Sequence, residues 1–366
     1  FGIPKTSHPI CDEHISVSLE AFGWDHFFSQ QLSSDEQDSG IPARVVAMHR
    51  TSLVVTEGAD VYDIALGGRW FQDPSEFRPT VGDWVLLAEG RDKVVRLLER
   101  KSVFKRYSAG PKRDIQLLAA NIDTLFIVTS CNDEFNENRL VRYLALAQEA
   151  GIMAVVVLTK RDLSNESHRY VERARKVSGS SVVECVDARD SATFEGIRLW
   201  TTKGQTVALV GSSGVGKSTL LNTLADRELQ RTEAIREDDS RGRHTTTYRS
   251  IHRIEQGALL VDVPGIRELA LAEATEGVAS AFEDVETLAA GCRFVDCNHQ
   301  TEPGCVVQSA IAEGRLEPER LKQFRKLRRE EARNSASLSE RRNTDRRTTQ
   351  RIRRHAKERE RTIDDE

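Results

Sequence analysis

The stretch Gly211-Ser212-Ser213-Gly214-Val215-Gly216-Lys217-Ser218 decides the fold, because it fits the pattern G-x-x-x-x-G-K-[ST] in full. The apolar run Thr206–Val210 enters this loop and the apolar segment Ser218–Leu224 leaves it, which predicts a strand, a loop and a helix in succession. Glycines let backbone N–H groups curl around phosphate oxygens at the positive end of a helix. We therefore predict a phosphate-binding loop in which Lys217 neutralises the β and γ phosphates and Ser218 binds Mg²⁺.

A second phosphate motif follows the apolar run Ala258–Val261. Asp262-Val263-Pro264-Gly265 matches the D-x-x-G of GTPases, and its place at a strand end after a phosphate loop makes this common pattern specific. We expect Asp262 to hold Mg²⁺ through water and the N–H of Gly265 to meet the γ-phosphate. The predicted phosphate contacts continue from the first loop into Thr219.

A base-reading motif, Thr159-Lys160-Arg161-Asp162, matches [NT]-K-x-D and also follows an apolar run. A carboxylate at Asp162 can accept from the N1–H and the 2-amino group of guanine, while Lys160 packs along the base. Adenine lacks this pair of donors, and a buried carboxylate left unpaired discriminates by roughly 10⁴–10⁵. The motif therefore predicts GTP rather than ATP.

The order of the motifs is unusual, since Thr159 precedes Gly211 by 52 residues and most GTPases place the phosphate loop first. In a doubly wound sheet the site lies at the carboxyl ends of the strands, so position in space matters more than order in sequence. A circular permutation preserves such a site when the original termini lie close together. In Val186-Asp187-Ala188, we expect the backbone N–H of Ala188 to contact the guanine oxygen.

Three of the six cysteines form one cluster with a histidine, in the spacing Cys292-x4-Cys297-x-His299-x5-Cys305. Four ligands of Cys₃His composition leave no open position, which predicts a structural zinc site. Cys11, Cys131 and Cys185 are scattered. This distribution favours a reducing compartment with one metal site over a framework of disulfides.

The pattern of apolar runs and turn residues along the chain predicts a multi-domain protein with a β-barrel, an α/β domain and a zinc-binding helical domain. Short β-branched runs between turn residues are equally compatible with an OB-fold and with a generic β-subdomain. Apolar strands alternating with helices indicate a buried parallel sheet. The expected parts are a poorly ordered extension (1–41), an OB-fold barrel (42–108), a circularly permuted P-loop GTPase domain (109–286), a zinc-binding domain (287–330) and a basic tail (331–366).

Charge is distributed unevenly along the chain. The net charge is −4, but Arg320 to Arg361 holds seventeen Lys and Arg against six acids, which leaves about −15 on the rest. A basic end on an acidic body favours binding of a polyanionic partner, for which RNA is the natural candidate. The alternative is that the basic residues only form a solvated helix face. No run approaches the roughly 18 apolar residues of a membrane span. We expect a cytoplasmic monomer.

With these motifs in this order, the chain resembles the bacterial family of ribosome small-subunit-dependent GTPases (RsgA, also called YjeQ). The resemblance covers roughly residues 42 to 330. Val81-Gly82-Asp83-Trp84-Val85 resembles the OB-fold segment of that family, Gly242–Thr247 its G-R-H-T-T switch I, and the Cys₃His cluster its zinc signature. The resemblance implies slow GTP hydrolysis that the small (30S) ribosomal subunit accelerates, binding to 16S rRNA, and a role late in maturation of the subunit.

Two positions depart from the family pattern, and a third position bears on catalysis. Thr159 stands where the family often has Asn, which keeps a side-chain acceptor, and Asp187 replaces the Ser of a Ser-Ala pair. The residue after D-x-x-G is Ile266, which cannot orient water as a Gln does. The resemblance points to His244 for that role, and to Thr246, or else Thr245, as the switch I ligand of Mg²⁺.

Two other functions fit parts of the sequence. Ile266 favours a nucleotide-gated RNA-binding module with little turnover, because an apolar side chain gives no help to an attacking water. A phosphate loop alone is also compatible with a kinase or an ATPase, against which Asp162 argues. Turnover with added 30S subunits separates the first alternative, and competition by ATP separates the second.

Overall fold

The structure is a computed structural model that describes residues 18–49, 51–72, 75–107, 115–226, 249–254, 256–262, 282–294, 297–300, 302–326 and 328–329. The chain divides into two compact units, residues 1–270 and 271–366, and each is described here by itself. None of the described helices combines the length and the apolar character that crossing a bilayer requires.

The described chain begins with three short helical segments, Leu19–Phe22, His26–Ser29 (α1) and Ser34–Ser39 (α2). The extension that the sequence predicts for residues 1–41 therefore contains helical segments between residues 18 and 39, while residues 1–17 lie outside the described part. The polar helix α2 forms because Ser33 and Glu36 cap it reciprocally, with N–H to oxygen distances of 3.3 and 2.9 Å. Phe22 and Phe28, each 1% exposed, anchor the preceding segments in the core.

Five antiparallel strands follow, which are Ile41–Met48 (β1), Ser52–Thr56 (β2), Val61–Ala65 (β3), Trp84–Leu87 (β4) and Val94–Leu97 (β5). They pair in the order β3-β2-β1-β4-β5. Alternate side chains form one core, in which Val45, Val55 and Val85 are 0% exposed. These five strands occupy the region that the sequence predicted as an N-terminal β-barrel, and this region is called the barrel below. Between β3 and β4 lie a helix, Arg69–Gln72 (α3), and a short 3₁₀ turn, Ser75–Phe77.

A hairpin that the sequence pattern did not predict comes next. Val103–Tyr107 (β6) and Ile115–Ala120 (β7) pair antiparallel and form a sheet of their own. Residues 108–114 lie outside the described ranges, so the predicted domain boundary near residue 108 stays a prediction.

The α/β part contains six strands, Thr124–Ser130 (β8), Met153–Thr159 (β9), Val182–Cys185 (β10), Thr206–Val210 (β11), Arg249–Arg253 (β12) and Leu259–Asp262 (β13). Its helices are Glu137–Glu149 (α4), Ser167–Ser178 (α5), Glu195–Arg198 (α6) and Lys217–Ala225 (α7). Two 3₁₀ turns, Arg161–Leu163 and Ser191–Phe194, complete it. The predicted elements Thr206–Val210, Ser218–Leu224 and Ala258–Val261 are present as β11, α7 and β13, and β12 is an additional strand.

The sheet has the order β10-β9-β8-β11-β13-β12, in which the first five strands are parallel and β12 is antiparallel to β13. Val155, Val157 and Val207 are 0% exposed, as expected for strands covered on both faces. The chain runs outward from β8 to β10 and then returns to β11 on the other side of β8. The strand order therefore reverses between β8 and β11, where ligands bind in such folds.

The barrel and the α/β part share one sheet, because β12 also pairs with β1 through Ala47 and Ser250. Arg44 of β1, 1% exposed, donates to the carbonyl oxygens of Phe22 (3.2 Å) and Asn121 (3.1 Å) and to Thr206 Oγ1 (3.3 Å). Burial lowers the pKa of Arg44 to about 10, which leaves the guanidinium charged at neutral pH. One buried cation thus ties the N-terminal segment, the barrel and the start of β11 together.

The second unit is helical around the cysteine cluster. Glu283–Ala289 (α8) and Val306–Ala312 (α9) pack together, and residues 318–326 are also helical. Phe282, Val285, Val307 and Ala310 are 0% exposed, and the rings of Phe282 and Phe324 lie 5.5 Å apart. The predicted helical character of this region is confirmed.

Candidate nucleotide site and metal cluster

The predicted nucleotide motifs lie at one edge of the parallel sheet. The phosphate loop follows β11, the Thr159–Asp162 motif begins at the last residue of β9, residues 186–188 follow β10, and Asp262 is the last residue of β13. Because parallel strands end at the same edge, the permuted order leaves these motifs as neighbours. His244, Thr246 and Gly265 lie outside the described residues, and for Asp262 only the backbone is described.

The phosphate loop needs its glycines for two different reasons. Gly211 has a φ of 146°, and a Cβ there would lie 2.2 Å from the carbonyl oxygen of Val128. Gly216 has a φ of 90° and begins α7 in the left-handed region, which L side chains rarely adopt. Lys217 folds back so that its Nζ donates to the carbonyl oxygen of Ser212, and its ammonium therefore lies over the loop.

Thr159 connects the base-reading loop to the phosphate loop. Its side chain is buried, and the hydroxyl donates toward the carbonyl oxygens of Thr129 (3.1 Å) and Val215 (2.5 Å). Thr159 stands where the family often has Asn, and its hydroxyl acts here as a hydrogen-bond donor. The sequence predicted only that a side-chain acceptor was kept. The hydrogen bond to Val215 links the loop of the predicted base contacts to the loop of the predicted phosphate contacts.

Asp162 has an ion-pair partner that the sequence did not predict. Lys160 adopts a left-handed φ of 57°, and the 3₁₀ turn Arg161–Leu163 carries the carboxylate of Asp162 toward Arg189. Arg189 Nη2 lies 2.5 Å from Asp162 Oδ2, and Arg189 Nε lies 3.3 Å from Asp187 Oδ1. One guanidinium therefore bridges the two carboxylates.

Asp187 is held ionised by this arrangement. The backbone N–H of Arg189 donates to Asp187 Oδ1 at 2.9 Å, and this bond, followed by the side chain of Arg189, lowers the pKa of Asp187. The adjacent Ala188 is 6% exposed, and its carbonyl oxygen accepts from Thr223 Oγ1 on α7 at 2.7 Å. The loop after β10 is thus attached to the helix that the phosphate loop begins.

A second arginine beside the site was also missed from sequence. Asn136 caps α4 by accepting the N–H of Arg139 at 3.0 Å, and the guanidinium of Arg139 donates to Ser212 Oγ of the phosphate loop. Arg139 lies in α4, far from the phosphate loop in sequence, so only the fold brings the two together. The contact places a cation beside a loop that is predicted to bind phosphates.

The four predicted metal ligands converge in the second unit. The ligand atoms of Cys292, Cys297, His299 and Cys305 all lie within 4.8 Å of one another. His299 Nδ1 is 3.6 Å from Cys292 Sγ and 3.5 Å from Cys305 Sγ, while the two sulfurs are 3.9 Å apart. Tetrahedral zinc with Zn–S of about 2.3 Å and Zn–N of about 2.0 Å requires separations of roughly 3.5 Å for N–S and roughly 3.8 Å for S–S.

The protonation chemistry of His299 and Cys292 also suits a metal cation, whereas burial raises the pKa of the Cys297 thiol to about 11. Burial lowers the pKa of His299, which keeps its imidazole neutral and able to ligate at neutral pH. Burial opposes ionisation of Cys292, but the N–H groups of Val307 and Val306 outweigh it and lower the pKa of this thiol. Cys305 Sγ accepts the N–H of Gln308 at 3.4 Å. The residues present therefore fit a Cys₃His metal ion.

Fold and site together define a class of protein: a P-loop GTPase whose base-reading motif precedes its phosphate loop. Residues 97–272 match the family described as RsgA GTPase. The chain is 48% identical over 326 residues to "Small ribosomal subunit biogenesis GTPase RsgA 2" of Vibrio vulnificus, covering 89% of this chain and 91% of the relative. It is 44% identical over 315 residues to the corresponding RsgA of Mesorhizobium japonicum, covering 85% and 89%.

Solved structures show the same fold. YjeQ from Thermotoga maritima has a TM-score of 0.59 and 24% identity, covering 79% of this chain and 97% of that one. YloQ, described as a circularly permuted GTPase, has a TM-score of 0.57 and 20% identity, covering 80% and 95%. The chain belongs to the RsgA GTPase family and is a GTP hydrolase, which excludes the alternative of a P-loop kinase or ATPase.

Proposed function

We propose that this GTPase binds the small (30S) ribosomal subunit, assists its late maturation, and uses GTP hydrolysis to time its release. The observation that carries the proposal is the 48% identity over 89% of the chain to a protein named small ribosomal subunit biogenesis GTPase RsgA 2. Identity spread over nearly the whole chain extends beyond the GTPase motifs, so it supports a shared partner as well as a shared reaction.

In this proposal different loops at the sheet edge bind different parts of the nucleotide. Asp162 reads guanine, Ala188 contributes a backbone N–H to the base, and Lys217 neutralises the β and γ phosphates. Asp162 lies in a turn attached to the sheet edge, and Thr159 holds that turn to Val215 of the phosphate loop. This tie supports a fixed spacing between base and phosphates, which orients the γ-phosphate.

Ser218 and Asp262 are the proposed holders of Mg²⁺, which when bound neutralises charge on the β and γ phosphates. Ser218 is in the first turn of α7, and Asp262 ends the neighbouring strand β13. Thr246 of switch I would complete this set, with the N–H of Gly265 on the γ-phosphate.

Hydrolysis is proposed to be slow until the ribosomal subunit is bound. Ile266 cannot hydrogen-bond an attacking water, so the chain alone lacks the polar group that many GTPases use at this position. We propose that His244 supplies this group when switch I becomes ordered on the subunit. The alternative, a nucleotide-gated RNA-binding module with little turnover, follows from the same Ile266 if His244 serves only to contact RNA.

The second unit is proposed to hold one structural zinc through Cys292, Cys297, His299 and Cys305. The match between the observed separations and those of a tetrahedral site supports this metal. We further propose that the barrel, the zinc domain and the basic tail bind 16S rRNA. At the C-terminal end of the chain, the seventeen Lys and Arg from Arg320 to Arg361 support this proposal. Such a protein would act as a monomer in the cytoplasm.

The test is multiple-turnover GTP hydrolysis with and without purified 30S subunits. We expect strong stimulation that Lys217→Ala abolishes and that His244→Ala greatly reduces without loss of GTP binding. Addition of 50S subunits serves as the control for non-specific RNA effects. Intact GTP binding with no stimulation by 30S subunits would reject the ribosome-stimulated enzyme and leave the nucleotide-gated binding module.

A further inference from the structure

Two cysteines outside the metal cluster meet beside the base-reading loop. Cys131 directly follows β8, Cys185 is the last residue of β10, and their Sγ atoms are 3.8 Å apart. Since β9 lies between β8 and β10 in the sheet, the two thiols meet across the carboxyl end of β9. That end is Thr159, where the base-reading motif begins.

The segments that carry these cysteines also hold the base-reading loop by backbone hydrogen bonds. The N–H of Cys131 donates to the carbonyl oxygen of Thr159 at 3.0 Å. On the other side, the N–H of Arg161 donates to the carbonyl oxygen of Val186, the residue after Cys185, at 3.3 Å. A change in the separation of the two cysteines would therefore be transmitted to Thr159 and Arg161.

The two thiols differ in exposure and in acidity. Cys131 is 2% exposed, whereas Cys185 is only half-buried. The hydrogen bond from Cys131 lowers the pKa of Cys185 and Arg161 favours the same thiolate, while this hydrogen bond and burial raise the pKa of Cys131. A partly exposed thiol with a lowered pKa beside a second thiol is the arrangement typical of oxidant-sensitive cysteine pairs.

We propose that Cys131 and Cys185 form a peroxide-sensitive dithiol whose oxidation weakens guanine nucleotide binding. The Cys185 thiolate attacks one oxygen of hydrogen peroxide, so that an S–O bond forms, the O–O bond breaks, and the leaving hydroxide takes up a proton to become water. Cys131 then attacks the sulfur of the Cys185 sulfenic acid. An S–S bond forms, the S–O bond breaks, and the proton of Cys131 leaves with the hydroxide as a second water.

The expected effect on binding follows from the change in distance. A disulfide has an S–S length of about 2.05 Å, so the sulfurs must approach by roughly 1.8 Å from their present 3.8 Å. This movement draws together the segments on both sides of β9, and displacements of about 1 Å are enough to disrupt an aligned site. The effect on binding rests on the proposed role of Asp162 in reading guanine, whereas formation of the disulfide does not.

The experiment treats the full-length, metal-loaded protein with hydrogen peroxide, blocks the remaining thiols, and maps peptides by mass spectrometry. Affinity for a fluorescent GDP analogue is measured on the same samples. We expect a peptide linked through Cys131 and Cys185, an affinity lowered at least fivefold, and recovery after dithiothreitol. Cys185→Ser and Cys131→Ala should bind the GDP analogue like the native protein and should keep that affinity after peroxide.

Cys185→Ser is also the matched control for the metal cluster, because it retains Cys292, Cys297 and Cys305. A loss of affinity equal in the native protein and in Cys185→Ser would assign the effect to cysteines other than Cys185 and overturn the proposal. Absence of the linked peptide would overturn the oxidation site, and a linked peptide with unchanged affinity would overturn the coupling. If the reduced protein binds no guanine nucleotide, the guanine-reading function fails, while a linked peptide still supports the oxidation site.

Discussion

At the residue scale, the predicted base-reading site brings together two carboxylates and one guanidinium. Asp162 and Asp187 lie on adjacent loops, and Arg189 forms an ion pair with each of them. Arg189 is 66% exposed, so solvent screens the ion pairs and their contribution to overall stability is small. In the proposed site, Asp162 presents both oxygens to guanine beside a second carboxylate, so we expect Arg189 to act by orienting Asp162.

Replacing Arg189 should therefore weaken binding of guanine nucleotides. Arg189→Ala leaves Asp162 facing Asp187 without a cation, and we expect affinity for GDP to fall by roughly threefold to tenfold, which corresponds to about 0.7–1.4 kcal/mol. The double variant Asp187→Ser with Arg189→Ala removes the repulsion and should recover most of the affinity. Titration of a fluorescent GDP analogue measures both effects.

The matched control is Arg169→Ala, which removes an arginine of similar exposure (65%) that pairs with Glu166 on α5. This variant should bind GDP like the native protein. If Arg189→Ala bound GDP as tightly as the native chain, Arg189 would have no role in positioning Asp162.

Sequence patterns located the motif residues of this site but not their supporting arginines. Gly211, Lys217 and Asp162 belong to short segments whose backbone shape is set locally, so residue types at a fixed spacing are enough to find them. Arg189 contacts Asp162 from 27 residues away and Arg139 contacts Ser212 from 73 residues away. Contacts between different loops depend on the assembled sheet, and no spacing in the sequence encodes them.

At the element scale, the Val81–Val85 segment shows why one turn of the barrel has strict sequence requirements. A Cβ on Gly82 would lie 2.0 Å from the carbonyl oxygen of Ala120, and the φ of Gly82 is 91°. Asp83 is fully buried and accepts from Arg100 Nε and Nη2, each at 2.8 Å, and from the N–H of Thr80 at 2.7 Å. Trp84 is 0% exposed. The turn therefore holds the barrel against the strand β7.

Gly82→Ala should destabilise the first unit strongly. The methyl group meets backbone atoms that cannot move aside and forces a left-handed φ on alanine, which together cost about 3 kcal/mol or more. We expect a lower thermal midpoint for the native-like signal of the first unit, followed by circular dichroism and by release of bound GDP.

Gly68→Ala provides the comparison, because a Cβ at Gly68 meets nothing within 4 Å. Its midpoint should stay within about one degree of the native value, since surface changes of this kind are close to neutral. Equal midpoints for the two variants would show that the turn tolerates a side chain at position 82.

Two of the elements that escaped sequence-based prediction, helix α2 and strand β12, have a common physical cause. Helix α2 contains no buried residue and depends on the Ser33–Glu36 capping box, while strand β12 has a single apolar residue, Ile251, among five. β12 forms because it has hydrogen-bonding partners on both sides, β13 and β1. Apolar periodicity finds elements that bury a face, and these two do not have that pattern.

At the scale of the whole molecule, two compact units carry different kinds of stabilisation. The first unit has extensive apolar cores, whereas the described part of the second is short and converges on Cys292, Cys297, His299 and Cys305. The described part of the second unit buries few large apolar side chains, and a structural metal commonly compensates for a small core. The fold of the second unit is therefore expected to depend on its metal.

We expect the purified chain to contain one zinc per molecule, measured by inductively coupled plasma mass spectrometry. Cys305→Ser should lower the zinc content to near zero and remove the protection of α8 and α9 against hydrogen exchange, because apparent zinc binding supplies about 10–16 kcal/mol. Protection of β8, β9 and β11 should remain. The control is Cys185→Ser, which should keep one zinc; retention of zinc in Cys305→Ser would reject the assigned ligands.

The central claim is that a base-reading loop placed before the phosphate loop selects guanine through Asp162. The most direct test measures the affinities of GDP and xanthosine diphosphate for the native protein and for Asp162→Asn. Guanine donates two hydrogen bonds to the carboxylate, whereas xanthine carries an oxygen that only a donor such as the Asn amide can satisfy. The native protein should prefer GDP by at least about 10²-fold, and Asp162→Asn should prefer xanthosine diphosphate. A variant that still prefers GDP would contradict the assignment of Asp162 and with it the permuted guanine site.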